Sequence, residues 1–356
     1  IRIQAGSLDL ANTRIEGSTA SDQIDNSAAS ILIQSPSGSL NMIDSNVETS
    51  TSGASAAGFV SIAAGNILLS DGSRIAADTS GSGSAGNVEI SNPGSSIILD
   101  DSTIQARSSG DGAGGGVNIE AGNLLLRNGS LVSSQASDLG AAGNIEIALD
   151  EDLMILGSGE LKSEIKTEAT QSRGGDISVL VRGELEMRDG FIVATAGADG
   201  NGGNVTVNAD EVFMQNSGIL ARASAGNGGS ISLSAGQLFI IDTQSAINAD
   251  SNTGTSGEIS TNAPDVDADS ALLEQDVNIA ASPELAADDC SPTAIGVMST
   301  FRQDDEGGTP QSPDNYLTAI VQTQVNPSTV ATEPTIFNFA DKLLASIRVN
   351  ASEECR

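Results

Sequence analysis

The chain has 356 residues, with 15 Lys and Arg against 47 Asp and Glu and no His, so its formal net charge is −32. This charge argues against nucleic acid and anionic lipid as partners, because their phosphate groups would be repelled. No apolar run approaches the roughly 18 residues of a membrane-spanning helix, and with seven Phe, one Tyr and no Trp the core must be built mainly from Ala, Ile, Leu and Val.

A triplet of the form apolar, any residue, apolar recurs along the first three quarters of the chain, with Thr as the third residue of the last copy. The ten copies begin at Ile1, Ile31, Val60, Val88, Val117, Ile145, Ile177, Val205, Ile231 and Ile259. They lie 26 to 32 residues apart and span 258 residues in nine steps, a mean of about 29, which is typical of a repeat protein. We expect these ten residues to form one ladder of the core.

Each repeat contains two further apolar segments, which predict a second and a third strand. The second segment supplies the pairs Leu8/Leu10, Leu40/Met42, Ile67/Leu69, Ile97/Leu99, Leu124/Leu126, Leu153/Ile155, Leu185/Met187, Val212/Met214 and Leu238/Ile240. The third supplies Ile15, Val47, Ile75, Ile104, Leu131, Ile165, Ile192, Leu220 and Ile247. Turn signals such as Asp71-Gly72 separate the strands, and a Gly-rich stretch closes most repeats.

Three short alternating strands per repeat describe one turn of a three-sided solenoid. We therefore predict an all-β fold, a right-handed parallel β-helix of about ten three-strand rungs with a period near 29 residues, covering residues 1–265. A β-propeller would repeat at about 40 residues or more and carry aromatic signatures. A β-sandwich would not keep one register through ten copies.

The composition changes after Pro264, where Pro becomes frequent and the Gly-rich closures end. We predict that residues 266–356 form a small, mixed and acidic C-terminal cap, with a loosely ordered tail as the alternative. Apolar residues from Ile336 to Ile347 recur at helical spacing. The two cysteines, Cys290 and Cys355, lie in this region. A disulfide between them would contribute about 4 kcal/mol, and two free thiols are the alternative.

The sequence predicts no catalytic residues and therefore no enzyme. His, the commonest general base, is absent, and sugar-cleaving sites need paired carboxylates in a cleft. Several acidic residues lie between predicted strands and are interpreted as turn formers: Asp71, Asp189 and Asp242. Three arginines stand beside predicted strands without an evident partner cluster: Arg74, Arg107 and Arg222.

No cofactor is predicted, and calcium has one weak candidate site. Asp265, Asp267 and Asp269 alternate, so their carboxylates could share one side of an extended segment and hold a hard cation through oxygen. A solvated acidic linker is the competing interpretation, and we favour it. The segment GDGAGGG at Gly110 lacks the Lys and the helix of a phosphate-binding loop, and we interpret it as a turn.

The repeat unit joins a strand such as GNVEI at Gly86 to a segment such as NLLLRNGS at Asn123. The C-terminal region contains LLEQDVNIAASPELAADDC, then STF and EGGTPQSPDNYL. These features resemble the filamentous haemagglutinin-type exoproteins of two-partner secretion, particularly the large cyanobacterial ones often labelled S-layer or haemagglutination-activity proteins. The sequence departs from that group at Glu306-Gly307-Gly308, where the group commonly has a basic GRGGLP-like run.

The resemblance implies a protein that is secreted to the surface or exterior of a Gram-negative-type cell through an outer-membrane partner transporter. The chain has no signal peptide at Ile1, so we expect it to be a piece of a longer precursor. We predict a non-catalytic structural or adhesive component of a fibre, sheath or S-layer, which associates head to tail or with surface polymers. The alternative is a carbohydrate-binding or polysaccharide-degrading β-helix, with ligand contacts between Glu160 and Arg173, in the longest repeat.

Overall fold

The computed structural model describes residues 1–20, 29–198 and 200–264. These residues form strands and turns and contain no helix. The predicted cap at 266–356, the cysteine pair and the aspartates at 265, 267 and 269 lie outside the described residues.

Twenty-four strands follow one another along the described chain. They are β1 (Arg2–Gln4), β2 (Leu8–Ala11), β3 (Arg14–Thr19), β4 (Ile31–Ser35), β5 (Leu40–Ile43), β6 (Asn46–Thr51), β7 (Val60–Ala64), β8 (Ile67–Ser70), β9 (Arg74–Thr79), β10 (Val88–Asp100), β11 (Thr103–Ser108), β12 (Val117–Arg127), β13 (Leu131–Ala136), β14 (Ile145–Leu149), β15 (Leu153–Leu156), β16 (Ser163–Ala169), β17 (Ile177–Val181), β18 (Glu184–Arg188), β19 (Gly190–Ala196), β20 (Val205–Gln215), β21 (Gly218–Leu220), β22 (Ile231–Ile241), β23 (Ala246–Asn248) and β24 (Ile259–Asn262).

The strands build a parallel β-solenoid with three faces. The faces are numbered in the order in which the chain forms them, so that in the first turn β1 lies on face one, β2 on face two and β3 on face three. The first corner joins faces one and two, and the second corner joins faces two and three. Every pairing between named strands is parallel and joins one turn to the next. Faces one and two form a continuous sheet of 15 strands, because β10, β12, β20 and β22 each run through the first corner, and face three is a separate sheet of nine. The described residues thus contain the strands of all three faces in each of nine turns and the first strand of a tenth, which confirms the predicted β-helix and places its length close to the expected ten rungs.

The core lies inside the three faces and consists of ladders of aliphatic side chains. On face one, the ladder from Ile31 to Ile231 runs in register through β4, β7, β10, β12, β14, β17, β20 and β22. Its members are 0–2% exposed, whereas Ile1 and Ile259, at its two ends, are 50% and 44% exposed. Each turn buries its apolar residues against its neighbours, so stability is shared between turns.

The structure corrects the predicted apolar positions in three turns by one residue. On face three, Val132 and not Leu131 pairs with Ile104, and Ile219 and not Leu220 pairs with Ile192. In the ninth turn, Phe239 and Ile241, and not Leu238 and Ile240, are in register with the buried Val212 and Met214, and Phe239 packs against the core. A one-residue slip moves a strand's side chains to the opposite face, and here the pairing with the preceding turn decides the register.

Residues with a left-handed backbone mark the corner between faces two and three. Their φ angles lie between 45° and 56°, and all are Asn or Asp: Asn12, Asp44, Asp71, Asp101, Asn128, Asp189 and Asn216. Short polar side chains that bond locally tolerate this region best among non-glycine residues. In most turns a buried serine follows shortly after this residue. Its Oγ accepts a hydrogen bond from a backbone N–H group of the preceding turn, as Oγ of Ser73 does from the N–H of Ser45 at 3.2 Å.

The corner that closes each turn is filled by a column of glycines. Its members are Gly58, Gly86, Gly115, Gly143, Gly175, Gly203, Gly229 and Gly257. From Gly86 onward, a Cβ atom on each would lie 1.9–2.3 Å from the carbonyl oxygen of the glycine one turn earlier. No real Cβ approaches an oxygen that closely, so the Gly-rich closures of the sequence follow from contact between turns.

We expect Gly115→Ala to lower the free energy of unfolding by about 2 kcal/mol, because the new methyl group would force adjacent turns apart. Gly116→Ala is the matched control, since its Cβ would lie 3.5 Å from the nearest atom, which is ordinary contact. Urea denaturation followed by circular dichroism would compare the two variants. Equal losses would mean that conformational freedom, and not contact between turns, selects glycine here.

Candidate functional site

A network of charged side chains crosses face three in the first four turns. Glu48, on β6, accepts hydrogen bonds from Arg14 of the preceding turn and from Arg74 of the next, the latter at 2.6 Å between Nη1 and Oε2. Arg74 also pairs with Asp78, four residues along the same strand. Because Glu48 is only 9% exposed, its charge depends on these two guanidinium groups.

Asp78 extends the network into the fourth turn. Its carboxylate accepts hydrogen bonds from Nε2 of Gln105 at 2.8 Å and from the backbone N–H of Arg107 at 2.9 Å. Burial raises the pKa of Asp78 above its ordinary value, while Arg74 is the largest of the influences that lower it. The expectation that Arg74 has no partner cluster is therefore wrong, because Glu48 contacts it from the preceding turn and Asp78 contacts it from the same strand.

An open groove of about 390 Å³ lies beside this network, where the strands of face three end. Hydroxyl groups from four consecutive turns dominate its lining, together with Ala20, Asp78 and Arg107. The hydroxyl residues are Ser18, Thr19, Ser50, Thr51, Ser52, Thr79, Ser80 and Ser109. Parallel pairing brings them together, since Ser18 stacks on Ser50 and Thr19 on Thr51 in register.

Arg107 brings a positive charge to the groove. Of the 11 Lys and Arg that the structure describes, eight take part in ion pairs, and Arg2, Arg107 and Arg222 do not. Arg107 and Arg222 lie four turns apart, on β11 and just after β21. The arginines considered from the sequence are therefore not brought together into one cluster.

The remaining candidates from the sequence are corner residues. Asp71 and Asp189 hold the left-handed position of the second corner. Asp242 occupies the same corner in the ninth turn, where its carboxylate accepts the backbone N–H groups of Asn216, Gln244 and Ser245. These hydrogen bonds lower the pKa of Asp242, with the bond from the Ser245 hydroxyl as the largest cause. All three aspartates form turns, as the sequence predicts.

The longest repeat places its extra residues in one short projection. A bridge between Ser158 and Leu161 closes a tight hairpin at the second corner, and Gly159 within it has a φ of 63°. The chain then enters β16, which pairs in register with β13 and β19. Half of the segment from Glu160 to Arg173 is thus ordinary face-three strand, Ser163–Ala169.

An aromatic ring follows on the same face in the seventh turn. Phe191 packs against Gly218 of the eighth turn, where a Cβ atom would lie 2.8 Å from the ring. Lys162 of the sixth turn places its Nζ 5.8 Å from the ring centroid and donates a hydrogen bond to Asp189 at 2.6 Å. The ring of Phe191 occupies the space beside Gly218, which has no side chain, and thus contacts residues of both neighbouring turns. An aromatic residue beside a strand glycine is known to stabilise β-sheets in this way.

Two observations concern metals and membranes. Within residues 1–20, 29–198 and 200–264, no group of three or more Cys, Asp or Glu is arranged to hold a metal ion. No helix in the described part of the chain is long and apolar enough to cross a membrane.

Comparison with known proteins adds no relative. No protein-family model, curated protein or solved structure matches the chain.

The two glutamates that contact Arg14 should differ in their contribution to stability. Glu48→Gln should lower the free energy of unfolding by about 2 kcal/mol, because it leaves two guanidinium groups without their shared, buried carboxylate. Glu16→Gln is the control, since Glu16 pairs with Arg14 at 3.1 Å but is more exposed, and we expect a loss of less than about 1 kcal/mol. Urea denaturation of both variants measures the difference, and equal losses would contradict the role assigned to Glu48.

Proposed function

We propose that this protein is a non-catalytic structural or adhesive component outside the cell, of the filamentous haemagglutinin type. The observation that carries the proposal is the stacking of the strands of nine successive turns in the described residues. At about 4.8 Å per turn, they make a rod roughly 43 Å long. A uniform solenoid of this kind suits a spacer, fibre or sheath, because length and stiffness come from repetition alone.

The charged groups of the solenoid support the same proposal. The described basic residues mostly pair with acids, often of neighbouring turns, as Arg74 does with Glu48 and Arg127 with Asp100. Such pairs tie turns together, and among the described basic residues they leave only Arg2, Arg107 and Arg222 without an ion pair. The absence of His from the whole sequence agrees with a role that needs no proton transfer.

We further propose that the chain reaches the cell exterior through an outer-membrane partner transporter. A solenoid can leave the cell unfolded and then fold turn by turn, because each turn needs only the one before it as a template. The negative charge would keep the rod soluble and limit nonspecific association. The resemblance to two-partner-secretion exoproteins of cyanobacteria is the basis for this route and for location at the surface of a Gram-negative-type cell.

Electron microscopy of the purified protein tests the structural role. We expect rods that associate end to end into filaments or sheets, since the pairing that stacks turns within one chain can also stack turns of two chains. Sedimentation over a range of protein concentrations would measure the association. Discrete monomers at all concentrations, together with no binding to cells or to matrix polymers, would contradict the proposal.

A second candidate function is carbohydrate binding at the groove of face three. Eight hydroxyl residues, Asp78 and the unpaired Arg107 line this groove, and together they supply the donors and acceptors that sugar hydroxyls require. A polysaccharide is the extended ligand that would suit hydroxyls repeated from turn to turn. This function is compatible with a surface rod, because a weak site on each of many assembled rods gives strong overall attachment.

Arg107→Ala should reduce binding to immobilised polysaccharides by about tenfold, the effect of losing one charged hydrogen-bond donor. Arg222→Ala is the matched control, because Arg222 also lacks an ion pair but lies outside the groove and should leave binding unchanged. A polysaccharide array followed by titration calorimetry on the best ligand provides the measurement. Equal effects of the two variants, or no binding to any polysaccharide, would contradict carbohydrate binding in the groove.

A further inference from the structure

Like charges stack on one another at the first corner, between faces one and two, in turns six to eight. Asp152 precedes β15, Glu184 opens β18, and Glu211 lies within β20. Glu184 and Glu211 are direct partners in register, and the backbone N–H of Glu184 donates to Oδ1 of Asp152 at 2.8 Å. Three carboxyl groups therefore follow one another from turn to turn, where like charges destabilise parallel pairing.

The side chain of Glu184 lacks the compensation that the other buried acids have. Its Oε1 is buried and has no hydrogen-bond partner. Glu186, two residues further along β18, is only 3% exposed and pairs with Arg188 at 2.5 Å. Arg188 is the single basic residue among the charged groups that act on Glu184, against Asp152, Glu186 and Glu211.

We propose that Asp152, Glu184 and Glu211 form a proton-operated latch: one bound proton holds turns six to eight together, and its loss loosens them. An ionised carboxylate needs hydrogen-bond donors or cations when it is buried, and Oε1 of Glu184 has neither. A neutral carboxyl group removes both the burial cost and one of the three stacked charges. The latch is independent of the proposed surface role and concerns only the solenoid.

The direction of the pH effect follows from Glu184. Burial, and then Glu186, Asp152 and Glu211, raise the pKa of Glu184 from its ordinary 4.5 to about 7. Between these two values the folded chain binds a proton that the unfolded chain has released, so the free energy of unfolding falls as the pH rises. The stabilisation is complete below about 4.5 and is lost as the pH passes 7.

Hydrogen exchange provides the local measurement, because turns of a solenoid can open separately. Between pH 5 and pH 8, after correction for intrinsic rates, exchange in β15, β18 and β20 should increase about fivefold more than in β4 and β7. This is far below the full effect of raising the pKa from 4.5 to about 7, which is about tenfold for each pKa unit, because the carboxyl group is partly solvated. Glu184→Gln should remove most of the difference, since the amide mimics the neutral acid, and the remainder is assigned to Glu186, whose pKa burial also raises.

Glu146→Gln is the matched control, because Glu146 is an exposed carboxylate that stacks on Asn118 and Ser178 and not on another acid. It should leave the pH dependence of exchange unchanged. A pH dependence that persists undiminished in Glu184→Gln, or that is equally removed in Glu146→Gln, would overturn the latch.

A direct titration of the native protein provides a second test. Carbon-13 NMR of the native protein labelled at glutamate carboxyl groups should show one resonance that titrates near pH 7. Glu211→Gln should lower that midpoint by removing a neighbouring charge. If every glutamate of the native protein titrates in the ordinary carboxyl range, the proposal is wrong.

Discussion

The structure depends on one interaction, the parallel pairing of each turn with the next at a spacing of about 4.8 Å. This pairing places every residue directly on the residue that occupies the same position one turn earlier, as Val88 lies on Val60 and beneath Val117. Each side chain must therefore pack well against the side chain at the same position in the neighbouring turns. Aliphatic residues satisfy this condition inside the faces, where they bury one another in continuous ladders.

The same condition explains the corners. Where the chain closes each turn, backbones approach so closely that only glycine fits, as at Gly115 above Gly86. At the corner between faces two and three the requirement is conformational, and Asn or Asp recurs at the left-handed position, as at Asp71 and Asn128. The two corners select different residues because one is limited by space and the other by the backbone angle.

Charged residues show both outcomes of stacking. On face three, Glu48 lies between Arg14 and Arg74, so the charges of three turns attract one another. At the first corner, Glu184 lies against Asp152 and Glu211, so the charges of three turns repel. In a solenoid, the residues at equivalent positions of successive repeats are neighbours, so together they set the local electrostatic environment. The same stacking can stabilise the turns around Glu48 and make the turns around Glu184 sensitive to pH.

The amino-acid sequence alone determined the fold class, because alternation within strands and a period near 29 residues leave few arrangements other than a three-sided parallel solenoid. It also identified the corner aspartates, since turn chemistry is local. It did not determine the inward residues at Val132, Ile219 and Phe239, where apolar neighbours compete and only pairing with the preceding turn selects one. Nor could it reveal the contact of Arg74 with Glu48 or the stacking of Glu184 on Glu211, because these contacts join residues about one turn apart. Repeat lengths vary between 26 and 32 residues, so a shift of a single residue changes which side chains meet, and only the tertiary structure decided that register.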